Sequence, residues 1–220
     1  MALVTRARTR WLSRGALVLA VVLAIAAPLV RPARANIQEQ RARLPPPATC
    51  TDPVEGVWMA HKYNPAYTDW SIFTLEIRHA PGNPAGLVGV IKNHGWSGGP
   101  QQSEPPGPPC RPGQKHWVVS MPAQGRYANG RIEFWATSWT LENRICELFA
   151  GYNLDRFSGT IDPAIQEFQS VNNDGGRAVN DPAVFRRVRC LDSSTSVPHT
   201  KVAPPPFYPH ITTGGCGREP

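Results

Sequence analysis

The chain has 220 residues, with 23 Lys and Arg against 16 Asp and Glu and a formal net charge of +7. Six of the arginines and none of the acids fall in residues 1–35. Beyond that segment the charge is nearly balanced, and no Lys/Arg run remains to build a face for nucleic acid.

Residues 1–35 read as a cleaved secretory signal. Arg6, Arg8, Arg10 and Arg14 supply a positive start, residues 15–30 form an uncharged apolar run, and Ala33-Arg34-Ala35 gives a small-x-small cleavage pattern. The mature chain is expected to begin near Asn36. The run is shorter than the roughly 20 residues that a membrane-spanning helix needs. No span is therefore expected after cleavage, and the destination is the periplasm or the medium.

Residues 36–54, with Pro45-Pro46-Pro47, read as an extended lead-in. From 55 to 190 the apolar pattern has a period of two, the mark of strands. Gly56-Val57-Trp58 opens the first strand. Phe73, Leu75 and Ile77 follow, then Leu87, Gly89 and Ile91, then Trp117, Val119 and Met121, then Ile132, Phe134 and Ala136. Cys146, Leu148, Ala150, Tyr152 and Leu154 form a further alternating set. Phe157, Gly159 and Ile161 come next, then Phe168, and last Val184, Arg186 and Val188. Arg186, Arg187 and Arg189 are split by this alternation between two faces. Turn chemistry separates the runs at Pro81-Gly82-Asn83-Pro84, Asn129-Gly130 and Asp162-Pro163. Residues 98–115 hold six prolines and must form a surface loop, because proline cannot donate to a sheet ladder. Residues 191–220 are rich in Pro and Gly and read as a flexible tail. The expected fold is all-β: an antiparallel meander of eight to nine strands closed into a small barrel, with a two-layer β-sandwich as the alternative.

Five cysteines, Cys50, Cys110, Cys146, Cys190 and Cys216, all lie beyond the signal. Export makes disulfides the default, and no C-x-x-C signals a zinc ribbon or a redox pair. Cys50 precedes the first strand and Cys190 follows the last, so sheet closure would pair them. Cys110 in the long loop is then matched with Cys146. Cys216 is left free or available for a bond to another chain.

Gly56-x-Trp58, the meander behind it and an arginine on the last strand resemble the lipocalin/calycin group of up-and-down barrels. The resemblance implies that Trp58 closes one barrel end, and that Arg187 or Arg189 packs across its ring by a cation–π contact. Gly56, Trp58, Arg187 and Arg189 are thus structural candidates.

Other motifs carry weaker chemistry. Gly95-Trp96-Ser97-Gly98-Gly99 matches G-x-S-x-G, but a proline-rich loop follows instead of the helix that such a nucleophile needs. His61, His79, His94 and His116 lie near strand ends with no i, i+2 pair, which favours four independent histidines over a metal site. Asn172, Asn173, Asp174, Asn180 and Asp181 have the composition of a calcium loop, and equally of a β-turn. Glu76, Glu133, Glu147 and Glu167 fall one per strand, so nothing pairs them for acid/base work. No metal and no cofactor is called for.

Aromatic residues are the strongest functional hint. Trp70, Phe73, Trp117, Phe134 and Trp135 are the candidate lining of an apolar cavity, with Thr74, Glu76, Ser120 and Thr137 to orient a ligand. The expected function is binding of a small, partly apolar ligand. A protein-interaction module of the cell envelope and an enzyme with a His/carboxylate rim site are the alternatives.

Overall fold

The computed structural model describes residues 33–146, 151–172 and 181–191. Residues up to Gln38 belong to a separate compact unit, and the barrel lies in the unit from Glu39 onward. Helix α1, Ala33–Arg43, precedes nine strands: β1 Gly56–Asn64, β2 Asp69–Ala80, β3 Asn83–Ser97, β4 His116–Ala128, β5 Arg131–Ala136, β6 Thr140–Cys146, β7 Arg156–Thr160, β8 Glu167–Val171 and β9 Pro182–Arg189. Among the described residues no helix is long and apolar enough to cross a membrane.

The strands form one antiparallel sheet in the order β7-β5-β4-β3-β2-β1-β9-β8, with β6 paired to β4. Its two ends approach each other, so the sheet curls nearly into a barrel. β7 and β8 are joined by a turn in which Asp162 and Glu167 exchange backbone hydrogen bonds. Beyond that bridge the two strands are linked by side chains: Ser170 Oγ accepts from Ser158 N–H at 2.8 Å, and Asn172 Oδ1 accepts from Arg156 N–H at 3.2 Å. β1 meets β9 through Trp58↔Arg187 and Met59↔Arg186. Near-closure sets the two edge strands beside each other and so covers edges that would otherwise pair with other chains.

Period-two patterning builds this sheet because successive side chains point to opposite faces. One phase is the core: Trp58, Phe73, Leu75, Ile77, Ile91, Val119, Met121, Ile132, Phe134, Phe157, Phe168 and Phe185 are buried in a single cluster. Phe157 packs edge-on to Phe73 and Phe185, and Phe168 stacks on Phe185 and meets Trp58 edge-on. This part of the barrel is filled. At Asn129-Gly130 both residues take positive φ, 52° and 76°, as a two-residue hairpin between β4 and β5 demands.

One end is closed as a unit. Arg187, 1% exposed, lies with its guanidinium carbon 5.0 Å from the Trp58 ring centre. It donates to the carbonyls of Asp52 and Glu55 at 2.6 and 2.9 Å and, through Nε and Nη2, to Gln166 Oε1. Gly56 has φ of 153°, and a Cβ there would stand 2.7 Å from Arg187 Cδ. Only glycine admits that approach. Arg189 is exposed. Arg186 faces the other way and pairs with Glu167 at 2.7 Å.

Disulfides Cys50–Cys190 and Cys110–Cys146 are both formed. Cys216 and the other residues from 192 onward lie outside the described residues, as do residues 1–32.

Two expectations are corrected. The lead-in is not extended throughout: residues 36–43 continue helix α1, which is rich in Ala, Gln, Glu and Arg, good helix formers, and stops before Pro45. In that helix Gln40 behaves like a strand's peptide group, accepting from Val184 N–H and donating to the Pro182 carbonyl, both at 2.9 Å. The described part of the alternation from Cys146 to Leu154 does not continue as a strand either. β6 ends at Cys146, and residues 151–155 are irregular, while Leu148 and Ala150 lie outside the described residues. β6 forms earlier because the first half of β4 needs a partner after β5 has paired with its second half.

Candidate functional site

At the end opposite Trp58 the inward phase of the strands turns polar. Inward positions of β1 run Trp58, Ala60, Lys62, and those of β3 run Leu87, Ile91, Asn93. Register places Ala60, Phe73, Asn93 and Val119 at one level and Lys62, Ser71, Gly95 and Trp117 at the next. Gly95 has a specific role: a Cβ there would sit 2.4 Å from the Trp117 ring, so only a bare backbone lets the indole lie across β3.

A directed chain of hydrogen bonds crosses this mouth. Asn93 Nδ2 donates to Tyr152 Oη at 2.5 Å, and Tyr152 Oη donates to Asp155 Oδ2 at 2.6 Å. Asn172 Nδ2 donates to Asp155 Oδ1 at 2.8 Å. Tyr152 packs edge-on to Trp117, with ring centres 5.5 Å apart. Asn93 is only 3% exposed, yet among the described residues its Oδ1 finds no hydrogen-bond donor, and an unmet buried acceptor is costly. Lys62, also buried, is neutralised by Asp181, with Nζ 2.7 Å from Oδ2.

A second cluster lies on the outer face of β1–β4, beneath the proline-rich loop. His61, Trp70, His94, Trp96 and His116 are all buried there. His94 and His116 face each other with Nε2 atoms 2.7 Å apart. Hydrogen bonds that hold the loop include His61 Nε2 to the Ser103 carbonyl, Trp70 Nε1 to Gly99 O and Trp96 Nε1 to Gln102 O, all at 2.9 Å, and Lys115 N–H to Ser97 Oγ at 2.8 Å. Arg43 lies 4.7 Å over the Trp70 ring. Burial lowers the histidine pKa values, to about 4 for His61, about 3 for His94 and about 4 for His116. Mutual repulsion with His116 and His61 adds to the effect at His94. A cleft of about 210 Å³ opens between the loop and Trp96, lined also by Gln101, Gln102 and Glu104.

The candidate lining residues are not gathered at one place. Phe73 and Phe134 belong to the filled core, and Trp117 sits at the mouth. Trp70 and Trp135 are on the outer phase, Trp70 under the loop and Trp135 beneath Arg156 at 5.7 Å. Thr74, Glu76 and Ser120 share that outer phase, and Thr137 Oγ1 donates to the Pro122 carbonyl. Alternation explains the scatter, since neighbours in sequence face opposite sides. Ser97 is used at the base of the loop and no helix follows it. The histidines are not four independent ones: His94 and His116 pair from the neighbouring strands β3 and β4, His61 on β1 meets Trp96, which also packs on His94, and His79 stands apart from them, 3.0 Å from Asp52. Glu76, Glu133 and Glu167 are each held by arginines; Glu147, Asn173, Asp174 and Asn180 lie outside the described residues. Among the described residues no group of three or more His, Cys, Asp or Glu is arranged to hold a metal ion.

Sequence reasoning missed Asn93, Lys62 and Asp155. The signal was present: Asn93 and Lys62 are polar residues on the phase that otherwise carries the core. Fold and site together define a small, disulfide-braced, all-β barrel with a polar relay at one mouth. Compared with known proteins, the chain matches no family model, no curated protein and no solved structure.

Proposed function

We propose that this is an exported barrel protein that binds a small, partly apolar ligand at the mouth beside Trp117 and Tyr152. The single observation that carries the reading is the unmet Asn93 Oδ1, a buried acceptor next to an aromatic pair. A ligand that stacks on the aromatics and hydrogen-bonds the amide would remove its cost. The filled core below Asn93 keeps such a ligand at the rim instead of deep in the barrel. Of the five candidate lining residues, only Trp117 is retained as a binding residue. The signal pattern in residues 1–35 and the two disulfides support export. The resemblance to lipocalin-type barrels, with Gly56-x-Trp58 under Arg187, is consistent with a ligand entering at the opposite end.

Native mass spectrometry of the mature protein from its own host tests this. The expected spectrum shows the chain plus a small molecule, and Trp117→Leu should lose the added mass. A bare chain in every preparation would overturn the reading.

A further inference from the structure

We infer that the mouth ligand is a neutral ring molecule that presents an N–H or O–H donor to Asn93 Oδ1; the inference rests on the binding site proposed above. The direction of the relay fixes this polarity. Asn172 Oδ1 accepts from the Arg156 backbone N–H, which can only donate, so Asn172 turns its Nδ2 to Asp155. Asp155 as a carboxylate only accepts, so the Tyr152 hydroxyl spends its one proton on Oδ2. Tyr152 Oη is then left as an acceptor toward Asn93, and the group facing it must be Nδ2. The Asn93 amide cannot be turned round without setting two acceptors against each other. Its Oδ1 is therefore committed to the barrel interior as an acceptor.

The same layout disfavours an anion. A ligand carboxylate would meet the Asn93 oxygen, with the buried acid Asp155 beyond Tyr152 in the relay. Lys62 is already matched with the Asp181 carboxylate at 2.7 Å. Trp117 and Tyr152, both half-buried and packed edge-on, supply the apolar wall for a ring.

Two isomeric probes separate donor from shape: 3-methylindole keeps the ring N–H, and 1-methylindole replaces it with a methyl group. Each is titrated into the intact mature protein, with benzoate as the anion, and the NMR shifts of the Trp117 indole and Asn93 side-chain amide are followed. A hydrogen bond to an otherwise unmet buried acceptor should favour 3-methylindole about tenfold over 1-methylindole, with benzoate weaker than both. Asn93→Leu, similar in volume, should bring the isomers to parity. Equal affinities in the unmodified protein, or a preference that survives Asn93→Leu, would overturn the donor assignment while leaving the mouth as a binding site. If none of the three probes moves Trp117, the site itself is wrong. A crystal structure with a water on Oδ1 that 3-methylindole leaves in place, a trapped water only, also overturns the assignment. The isomer comparison needs no variant, so it decides even if Asn93→Leu fails to fold.

Discussion

The Nε2 atoms of His94 and His116 lie 2.7 Å apart between rings inclined at only 10°. One ring must donate and the other accept, and burial keeps both rings neutral near pH 7. With His61 they sit buried under the loop, with pKa values of about 3 to 4 against 6.5 in the open chain. As pH falls below 6.5 the unfolded chain takes up protons that the native state refuses. Stability is therefore highest above pH 6.5, declines between about 6.5 and 4, and stops declining on this account once the native rings also protonate. Each histidine adds to the slope within that window. Urea unfolding at pH 7 and pH 5 should show a clear fall in midpoint, and His116→Gln should shrink the loss by about 2 kcal/mol. A midpoint that does not change between these pH values would contradict the buried neutral pair.

Arg187 and Arg189 were interchangeable in the sequence, and the structure separates them. Arg187 supplies hydrogen bonds to Asp52 O, Glu55 O and Gln166 Oε1 while covering Trp58. Arg187→Met strands three acceptors and should cost about 3 kcal/mol or more in unfolding free energy. Arg187→Lys keeps the charge but not the planar fork, and should recover less than half of that loss. Arg189 is exposed, and Arg189→Met should fall within about 0.5 kcal/mol of the parent. Urea midpoints of the three variants provide the comparison.

How much of the molecule is legible in its sequence depends on which forces leave a linear trace. Alternation is local, so Phe73, Leu75 and Ile77 announce a strand and its buried face without knowledge of any partner. The Asn129-Gly130 turn announces itself in the same way. Closure was legible through the cysteines, because Cys50 and Cys190 bracket the strands. The site was not, because its members meet only through register. His94 and His116 are 22 residues apart and touch because β3 pairs with β4. Asn93 on β3 reaches Tyr152 across 59 residues, and Tyr152 lies in the irregular stretch 151–155. Trp70 and Trp135 were drawn into the candidate cavity by composition alone; their phase, read against Ile72 and Glu133, places them outside it.

The two disulfides should separate global from local stability. Cys50–Cys190 spans 140 residues and ties the segment before β1 to the end of β9. The chain-entropy view assigns it about 5 kcal/mol, and about 4 kcal/mol to Cys110–Cys146 with its separation of 36. Removing Cys50 and Cys190 together should lower the unfolding midpoint for the whole barrel. Removing Cys110 and Cys146 should lower it too, and in addition free the loop that covers Trp70 and Trp96. Hydrogen exchange at residues 99–103 should then rise in the second variant by far more than in the first. Equal exchange in the two variants would show that the disulfide does not anchor the loop.

Tyr152 offers the sharpest test of the relay, because its one hydroxyl serves two partners. In Tyr152→Phe, Asn93 Nδ2 faces an apolar ring edge and Asp155 loses a donor on Oδ2. Asp155 is 2% exposed, so water cannot easily replace what is lost, and the expected cost is about 3 kcal/mol. Asn93→Leu alone removes the same Asn93–Tyr152 bond from its other end. The double variant should therefore cost less than the sum of the two, by about 1–2 kcal/mol. A double-mutant cycle by urea unfolding measures that difference directly. Strict additivity would mean that the two side chains share no bond, and the fixed orientation of the Asn93 amide would lose its basis.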